Sequence, residues 1–586
     1  MTEGQNETGS VLLLRVLTLA SLVLLSVAAL AETSPEAVRY TLAPELSDGA
    51  ISALRIQVNF RADESGTTQF GWDGGWAGNQ TLWQWARDFR VSGAVAVEKV
   101  TDGRWRIKAI PGTELTATYK IISAYDHDPT VEDSDQSKPV IRPRWFYAVG
   151  RTLFAYPVDR KDAPAIFDWA GASGVGFASD LEHLAGRNRR ASRPGVVGDV
   201  LQSIVIGGRA LRTFPADDAS GVRVAMIGNY AFPPEQLDKL ARRIISVERD
   251  FWDADRGAPF LITVAPIVGS PTARGFNGTG LGDSFALWID QSTPFDYLKS
   301  FLAHEYFHTW NPGQLGAMPK DRAAHPAHFW FSEGFTDYYA RALMVRAGLT
   351  SPAEFAAQWN EMLVAYARSP ARTMPGEQAR GAFWDDQTVQ ALPYQRGAML
   401  AAMWNARLLA TSKGVANLDT VLKAQLIAAQ SSTQQATVLF RNLAARQGLD
   451  ISADEDRYLV RGETITLPAD IFGFCATIVT ERQPSFSLGF DARATANAGN
   501  VVAGVDPALS AYAAGLRNGM KILARTEGEL GNAFMPYVWL VEDKGRQRTI
   551  RYLPQDHDLI PVQQIKLVDT ALPTCPSSLS GLQPTK

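Results

Sequence analysis

Hydrophobic and polar positions alternate with a period of two in the first third of the chain. Residues 53–60 and 115–121 show this alternation most clearly, and it is typical of strands that bury one face. Glycine-rich turns such as residues 72–76 separate the alternating runs. The pattern predicts an all-β N-terminal domain over residues 32–227.

After residue 227 the apolar positions follow the period of a helix. Pro233-Pro234-Glu235 opens a helical stretch that reaches Trp252. Two apolar strands are predicted at residues 260–264 and 284–289, and the glycine-rich residues 275–282 between them are expected to form a loop. Further helices are predicted at residues 304–308, around Glu333, and at residues 352–367, 394–410 and 418–426. We therefore expect a mostly helical domain over residues 228–470.

Short strands return near the C-terminus and predict a third, β-rich domain over residues 471–580. They are expected at residues 474–479, 499–505 and 547–553. Because 586 residues are too many for one domain, the pattern as a whole predicts a multidomain α+β protein.

The first 31 residues have the pattern of a signal peptide. Arg15 precedes an apolar run, residues 16–31, that ends in the small-x-small sequence Ala29-Leu30-Ala31. The alternative is an uncleaved membrane anchor, but the run is shorter than the ~18–20 apolar residues that a membrane span needs. We expect cleavage after Ala31 and an exported protein, periplasmic or secreted. Since no second long apolar run follows, no stable membrane span is expected after cleavage.

The net charge bears on which binding partners are expected, and the cysteine content bears on the redox compartment. The formal net charge is −4, which gives no reason to expect nucleic acid as a partner. Cys475 and Cys575 are the only cysteines in the sequence, and they lie near the two ends of the predicted C-terminal domain. In an exported protein an even pair predicts one disulfide, with two buried thiols as the alternative.

The clearest chemical signal is His304-Glu305-Tyr306-Phe307-His308. Residues four apart share one face of a helix, so both imidazoles would point at the same place. Neutral imidazole is a good zinc ligand, and Glu305 can reach a water beside such an ion. With only seven histidines in the sequence, an accidental match is rare, although two core histidines are the alternative. Adding Glu333 from the next helix, the sequence predicts one Zn²⁺ per chain, held by His304, His308 and Glu333.

These segments resemble the motifs of one metallopeptidase family. His304 to Pro312 (HEYFHTWNP), together with Trp330 to Tyr339 (WFSEGFTDYY), is similar to the glycyl aminopeptidases. These are gluzincin zinc peptidases, distant relatives of aminopeptidase N, that carry a C-terminal PDZ domain. The resemblance implies a thermolysin-like catalytic domain and peptide or protein substrates. It also implies that the strand before the zinc helix, residues 284–289, is the sheet edge along which a peptide lies.

Three further residues have predicted roles around the zinc site. Glu305 is the predicted general base. Tyr394 lies at about the distance from Glu333 at which the resembling families place a tyrosine that stabilises the oxyanion, and packing at a helix start is its alternative. Asp337, one helical turn after Glu333, is predicted to orient a zinc-binding imidazole, with a solvent-facing carboxylate as the alternative.

The predicted substrate-binding segment departs from the family pattern. Aminopeptidases of this clan hold the α-ammonium group of the substrate with a glutamate, and the corresponding position here is Gly280. We predict that Gly278, Gly280 and Asp283 line the substrate site, with extra room beside the two glycines. Asp283 is the candidate substitute for the missing acid, and a turn residue is its alternative role.

One segment of the C-terminal domain resembles the carboxylate-binding loop of a PDZ domain. It is Ser487-Leu488-Gly489-Phe490, and in such a loop backbone N–H groups hold the end of a peptide. Residues 511–522 resemble the helix and turn of PDZ modules in bacterial proteases. Met520 stands where that family usually has aspartate, which puts peptide capture by Leu488, Gly489 and Phe490 in doubt.

Together these features predict an exported zinc metallopeptidase of aminopeptidase type. An oligopeptide endopeptidase of the same clan is the first alternative, because Gly280 removes the obvious counter-charge of a substrate amine. A zinc hydrolase acting on a non-peptide and a noncatalytic periplasmic scaffold that binds peptides are the others. The intact set of His304, Glu305, His308 and Glu333 argues against the scaffold.

Overall fold

The structure is a computed structural model that describes residues 36–582, except residues 73, 77–78, 133–134, 184–194, 215–219, 270–274, 529, 569 and 571. The predicted signal peptide, residues 1–31, lies outside the described residues. The chain divides into two compact units, Met1–Tyr306 and Phe307–Lys586. Across the described ranges, no helix has the length and apolar character needed to cross a membrane.

The first unit begins with a region built mainly of strands. Its elements are β1 (Val38–Ser47), β2 (Ala50–Arg61), β3 (Thr67–Gly71), β4 (Ala86–Ser92), β5 (Ala96–Thr101), β6 (Arg104–Lys108), β7 (Glu114–Ile121), β8 (Val140–Arg142), β9 (Trp145–Val149), α1 (Gly150–Leu153), β10 (Tyr156–Pro157), β11 (Ala165–Trp169), β12 (Gly176–Ser179), α2 (Val197–Leu201) and β13 (Ile204–Gly208). They form three sheets, with the orders β11-β1-β2-β7-β4, β10-β3-β6-β5 and β12-β13-β9-β8.

The predicted two-residue period is what gives these sheets a buried face. In β2, Leu54, Ile56 and Val58 are fully buried, while Arg55 and Gln57 between them are exposed. Aromatic side chains fill the space that the buried faces enclose. Those of them with no more than 1% exposure include Tyr40, Phe70, Trp72, Phe146 and Phe154.

A fourth sheet contains the later strands of the first unit. Its strands are β14 (Arg212–Phe214), β15 (Val222–Met226), β16 (Phe260–Pro266), β17 (Phe276–Leu281) and β18 (Ser284–Ile289), in the order β14-β15-β16-β18-β17. Helix α3 (Pro234–Trp252) connects β15 to β16, which run parallel, because a parallel pair needs a crossover connection. This helix and the strands at 260–264 and 284–289 agree with the predicted elements.

Two predictions about this sheet are wrong. Most of the segment predicted as a loop, residues 275–282, forms strand β17, which pairs antiparallel with β18. The sheet edge is therefore β17, whereas residues 284–289, predicted to be the edge, are an inner strand. Glycine is rare in strands because it has no side chain to pack, so the composition pointed to a loop. The hydrogen bonds to β18 decide the conformation instead.

Helices dominate the chain from residue 295 to residue 460. They are α4 (Phe295–Phe307), α5 (Phe329–Ser332), α6 (Gly334–Arg346), α7 (Pro352–Arg368), α8 (Gly376–Ala382), α9 (Gln387–Thr411), α10 (Leu418–Ala429), α11 (Ala436–Arg446) and α12 (Ser452–Asp454), with a 3₁₀ helix at Arg322–His328 and a π-helix at Glu455–Val460. Helix α9 begins before its predicted start at residue 394, because the Asp386 side chain accepts the Thr388 amide and caps it.

The C-terminal region has two small antiparallel sheets. Strands β19 (Ala476–Phe486) and β23 (Gln555–Leu567) pair with each other, and β20 (Lys521–Glu527), β21 (Tyr537–Asp543) and β22 (Arg546–Tyr552) form a second sheet. Three short helices complete this region: α13 (Ala492–Asn497), α14 (Ser510–Ala513) and α15 (Cys575–Leu579). A β-rich N-terminal region, a helical middle and C-terminal sheets are thus confirmed as the coarse arrangement.

The prediction of a strand at residues 499–505 is wrong. Only an isolated bridge joins Val501 to Lys521 there. Gly499, Asn500 and Gly504 have φ angles of 69°, 67° and 65°, and this left-handed backbone cannot continue a pleated strand.

The two cysteines lie at the ends of the C-terminal sheets. Cys475 precedes β19 and Cys575 begins α15. Both side chains are fully buried, and the structure joins them in a disulfide with the Cα atoms 5.5 Å apart. The bond closes the segment between them into a covalent loop.

Candidate metal centre

The predicted zinc motif lies at the end of helix α4. The helix ends at Phe307, so His304 and Glu305 are in its last turn and His308 follows directly. All three of these residues are half-buried. His304 and Glu305 therefore have fixed helical positions, and all three side chains are accessible to solvent or a ligand.

The hydrogen bonding of His308 determines which nitrogen it offers to a metal. Its Nδ1 lies 2.8 Å from the carbonyl oxygen of Asn311, which can only accept a hydrogen bond. The proton is therefore on Nδ1, and Nε2 carries the lone pair that a metal ligand needs. Nε2 lies 3.3 Å from Oε2 of Glu333. Two ligand atoms that each lie about 2.0–2.1 Å from a tetrahedral Zn²⁺ are about 3.3 Å from each other. The separation of Nε2 and Oε2 therefore suits two ligands of one zinc ion.

The structure brings the three predicted ligands together. One ligand atom from each of His304, His308 and Glu333 lies within 4.8 Å of the other two. Two imidazoles and one carboxylate are the donor set of many catalytic zinc sites, which keep a fourth position open. The residues present therefore fit Zn²⁺ in both chemistry and spacing.

Asn311 hydrogen-bonds to the segment that contains Glu333. The sequence reasoning missed this residue. Its side chain is fully buried, and Nδ2 donates to the carbonyls of Phe331 and Ser332, at 2.9 and 3.2 Å, and to Oγ1 of Thr336 at 3.1 Å. Its own carbonyl accepts from His308. One residue thus connects a metal ligand to the segment on both sides of Glu333. The available signal was an asparagine between the zinc helix and a proline.

Glu333 occupies a junction between two helices. Helix α5 ends at Ser332 and α6 begins at Gly334. The Ser332 hydroxyl donates to Oε1 of Glu333 at 3.1 Å, on the carboxylate oxygen that does not face His308. This contact helps to hold the carboxylate orientation, as a metal ligand requires.

Two glycines bring helix α9 against the Glu333 junction. A Cβ on Gly334 would lie 2.4 Å from Cα of Gly397 and 2.7 Å from the carbonyl oxygen of Pro393. These distances are shorter than any normal contact, so only glycine fits at position 334 without a shift of the backbone. Pro393 and Gly334 are the chain neighbours of Tyr394 and Glu333. The backbones beside Tyr394 and Glu333 are therefore in direct contact, and the Tyr394 side chain is half-buried.

Asp337 lies in the first turn of α6, one turn after Glu333. Its Oδ2 forms an ion pair with Nη1 of Arg341 at 3.0 Å, and this nitrogen also donates to the Asp337 carbonyl. The side chain is about four-fifths buried. The predicted contact of Asp337 with a zinc-binding imidazole stays a prediction.

Residues 297–390 match the model of the M61 glycyl aminopeptidase family. The predicted family resemblance is confirmed. The segment similar to the glycyl aminopeptidases contains the two histidines, Glu305, Glu333 and Asp337, and it ends just before Tyr394. No curated protein sequence matches this chain.

One solved structure shows a similar fold over nearly the whole chain. An aminopeptidase N family protein from Idiomarina loihiensis is 15% identical, with a TM-score of 0.62, and the alignment covers 93% of this chain and 100% of that chain. An M1 zinc metallopeptidase from Deinococcus radiodurans is 17% identical, with a TM-score of 0.42, over 73% of this chain and 94% of its own. The first of these similarities extends the fold assignment well beyond the segment similar to the glycyl aminopeptidases.

Helix α3 supports the zinc helix from within the first unit. Arg249 donates through Nε to the Tyr306 hydroxyl at 2.7 Å, and burial raises the pKa of Tyr306 to about 12. The neighbouring Glu248 is fully buried and neither carboxyl oxygen has a hydrogen-bond partner among the described residues. Burial raises the pKa of Glu248 well above its usual value, and His304 partly opposes this shift. The sequence reasoning also missed Glu248 and Arg249. It identified the buried face of α3 from the spacing of apolar residues, and these two residues are charged.

The predicted substrate segment is the edge strand β17 and the turn after it. The two-residue turn Gly282-Asp283 joins β17 to β18, and Gly282 has a φ of 55°, as the first position of a tight hairpin turn favours. Asp283 is exposed on this turn. Beneath it, Asp180 accepts hydrogen bonds from the Ile204 amide and the Ser284 hydroxyl, and burial raises the pKa of Asp180 to about 7.

The two glycines of β17 differ in the space beside them. At Gly280 a Cβ would meet nothing within 4 Å, so the predicted room exists there. At Gly278 a Cβ would lie 2.2 Å from the ring of Phe285 and 2.8 Å from that of Phe301. The prediction of room beside Gly278 is therefore wrong, because two phenylalanine rings fill the space.

The segment that resembles a PDZ carboxylate loop packs on the small helix α14. Gly489 has a φ of 72°, and a Cβ there would lie 2.7 Å from Cβ of Ala511. The carbonyl of Leu488 accepts from the Tyr552 hydroxyl at 2.7 Å, and the Phe490 ring lies 5.9 Å from that of Trp539. These contacts fix the loop on the β20–β22 sheet.

Proposed function

We propose that this protein is an exported zinc metallopeptidase of aminopeptidase type. The observation that carries the proposal is the group formed by His304, His308 and Glu333, with Nε2 of His308 3.3 Å from Oε2 of Glu333. The match of residues 297–390 to the glycyl aminopeptidase model supports the reaction class. One Zn²⁺ per chain would be held by these three residues, and when bound it supplies a Lewis acid for the scissile carbonyl and lowers the pKa of a water.

The remaining steps belong to side chains of this chain. Glu305 takes the proton of the attacking water and returns it to the leaving nitrogen. Tyr394 donates a hydrogen bond to the oxygen that gains charge as the carbonyl is attacked. Asn311 holds His308 in the tautomer that offers Nε2 and holds the Glu333 junction at a fixed distance from it.

The edge strand β17 supplies the place for a peptide. Its outer side has backbone groups that no strand of the described sheet pairs with, so an extended substrate can add to the sheet there. The open space at Gly280 leaves room for residues N-terminal to the scissile bond. This observation favours cleavage within oligopeptides as a second candidate activity, with exposed Asp283 as the substitute acid if the enzyme requires a free amine.

Export and a PDZ-like module are part of the same proposal. The disulfide between Cys475 and Cys575 is typical of proteins that fold in an oxidising compartment, and a cleaved signal over residues 1–31 would deliver the chain there. Leu488, Gly489 and Phe490 would form the carboxylate-binding loop of the module.

A panel of peptides with and without chelator tests the proposed reaction. Aminoacyl anilides report aminopeptidase activity and internally quenched peptides with blocked amines report endopeptidase activity. We expect hydrolysis that stops on chelation and returns with Zn²⁺. Purified protein that binds no stoichiometric zinc, or that hydrolyses neither class of peptide when loaded, would contradict the proposal.

A further inference from the structure

A cavity of about 820 Å³ lies within the second unit. Its wall includes the 3₁₀ helix Arg322–His328 and faces of α8, α9 and α11. Much of the wall is apolar and buried, with contributions from Trp330, Phe383, Val389 and Leu392. The volume falls within the range of small-molecule sites, about 300–1,000 Å³. The proposed metal ligands are not among the described residues that line it.

The acids that line this cavity each have a cationic partner. Glu455 forms two hydrogen bonds with Arg441, at 2.7 and 2.8 Å, and Glu377 pairs with Arg380 at 2.9 Å. Asp456 pairs with Arg461. The histidine of the wall, His328, bonds to Thr437, and burial lowers its pKa, which favours the uncharged ring. The negative charges of the lining are therefore already balanced.

Arg396 is another cation of this lining, and no acid among the described residues forms an ion pair with it. It is 3% exposed, and its Nη2 donates to the carbonyls of Arg372 and Met374, at 3.0 and 2.9 Å. Nε has no hydrogen-bond partner among the described residues. Burial lowers the pKa of Arg396, and the group that opposes this shift is the Tyr366 phenol, not a carboxylate. A buried charge without a counter-charge is costly, and a bound anion would offset that cost.

We propose that this cavity binds a peptide through a carboxylate, with Arg396 as the counter-charge and the apolar wall around the peptide's side chains. A single carboxylate matches the single unbalanced cation. A phosphate would bring nearly two charges and would need further donors. The choice of a peptide as the carrier of the carboxylate rests on the proposed function, since a peptidase meets such acids as substrates and products.

The cavity is close to the proposed catalytic residues along the chain, although it is a separate site. Val389, Leu392, Pro393 and Arg396 of α9 share one helix face and line it. Gly397, on the neighbouring face, packs against Trp330 and Gly334. A ligand in the cavity would thus contact the helix that carries Tyr394, whereas His304, His308 and Glu333 are not among the described residues that line the cavity.

Binding to metal-free protein tests this site independently of the peptidase reaction. Calorimetric titration would use N-acetyl-Phe-Ala as the acid and its C-terminal amide as the matched neutral probe. Because hydrogen bonds to charged groups are strong, we expect the acid to bind at least about tenfold more tightly than the amide. A second pair, N-acetyl-Phe-Glu-amide and N-acetyl-Phe-Gln-amide, distinguishes a side-chain carboxylate from a terminal one as the source.

Variants assign the preference to Arg396. Arg396→Met should remove the acid preference, whereas Arg396→Lys should retain part of it. The double variant Glu377→Gln/Arg380→Gln removes an ion pair from the same cavity without changing its net charge, and it should behave as wild type. Ala379→Phe, which fills the cavity from α8, should remove binding of all probes while leaving Arg396 in place. It therefore decides the matter if Arg396→Met fails to fold.

Three results would overturn the proposal. They are equal affinity for acid and amide, no binding of either, and an acid preference that survives Arg396→Met. Each would show that Arg396 only holds the carbonyls of Arg372 and Met374. Failure of zinc-dependent hydrolysis would leave these binding results unaffected, so the two proposals can fail separately.

Discussion

The metal-ligand group and the edge strand β17 are neighbours along the chain, but they depend on different information. His304 and His308 are brought together by helical spacing, which residue identity alone reveals. Strand β17 is a strand because its backbone pairs with β18, although two of its six residues are glycine. A site made of side chains on a helix can therefore be predicted from a single sequence, whereas a binding surface made of backbone groups cannot.

The largest effect is expected at Glu305, in the side-chain part of the site. Glu305→Gln keeps the shape and removes the base, so kcat/KM should fall by about 10²–10⁴ while zinc content stays at one per chain. Peptide hydrolysis and metal analysis of the same preparation measure both. His304→Ala is the control, because it should lose the metal itself. Equal loss of metal in both variants would show that Glu305 is structural.

Tyr394 tests whether the contact between α9 and the Glu333 junction matters for catalysis. Tyr394→Phe removes one donor to the oxyanion and should lower kcat by about 10²–10³, or ~2.7–4 kcal/mol, with KM little changed. Tyr366→Phe is a matched control, since it removes a buried hydroxyl that accepts the Ile465 amide. A similar small loss in the two variants would assign Tyr394 to packing.

Asn311 tests whether the fold, beyond the motif, sets the metal site. Asn311→Ala removes the three donated hydrogen bonds that hold the Glu333 junction, and zinc affinity should fall by about 10–100-fold. Competition with a chelator measures this without any activity assay. Asn311→Asp should not rescue the affinity, because a carboxylate cannot donate to carbonyls. Gln314→Ala, an exposed amide in the same turn, should bind zinc as wild type does.

Gly280 tests the backbone-made part of the site. Wild-type enzyme should cleave N-acetylated peptides, and Gly280→Glu should shift preference towards free amino termini by about tenfold, because a carboxylate then faces the amine. Gly278→Ala is the contrasting variant, since its new Cβ would collide with Phe285 and Phe301; it should impair all substrates alike. If acetylation eliminates wild-type turnover, another acid such as Asp283 holds the amine.

The smallest effect concerns stability beneath the β17–β18 turn. Asp180 titrates near 3.8 when exposed, and burial raises its pKa in the folded protein to about 7. Between these pH values the folded chain holds a proton that the unfolded chain has released, so stability falls as the pH rises and the loss is complete above about 7. Asp180→Asn cannot ionise. Between pH 5 and pH 8 its Tm should fall less than that of wild type, by a few degrees; parallel Tm curves would contradict this assignment.

The helices and strands that have a regular apolar period could be predicted from the sequence. The positions whose role depends on where the chain turns back on itself could not. Helix α3 and the strands β16 and β18 follow from apolar periodicity, and Glu333 follows from its motif. The role of Asn311 depends on where the chain folds back towards Phe331, which no local pattern shows. Likewise, Val501 and Val502 suggest a strand, but positive φ at Gly499, Asn500 and Gly504 prevents it.

The disulfide makes the C-terminal sheets a tethered ring. Cys475 and Cys575 are 100 positions apart in sequence, yet their Cα atoms are 5.5 Å apart, and strands β19 and β23 leave that point as an antiparallel pair. The chain leaves the helical part of the second unit at Cys475 and returns to it at Cys575, and Asn360 of α7 also hydrogen-bonds to the backbone of Ile565 in β23. A single proteolytic cut within the ring would leave both fragments covalently attached.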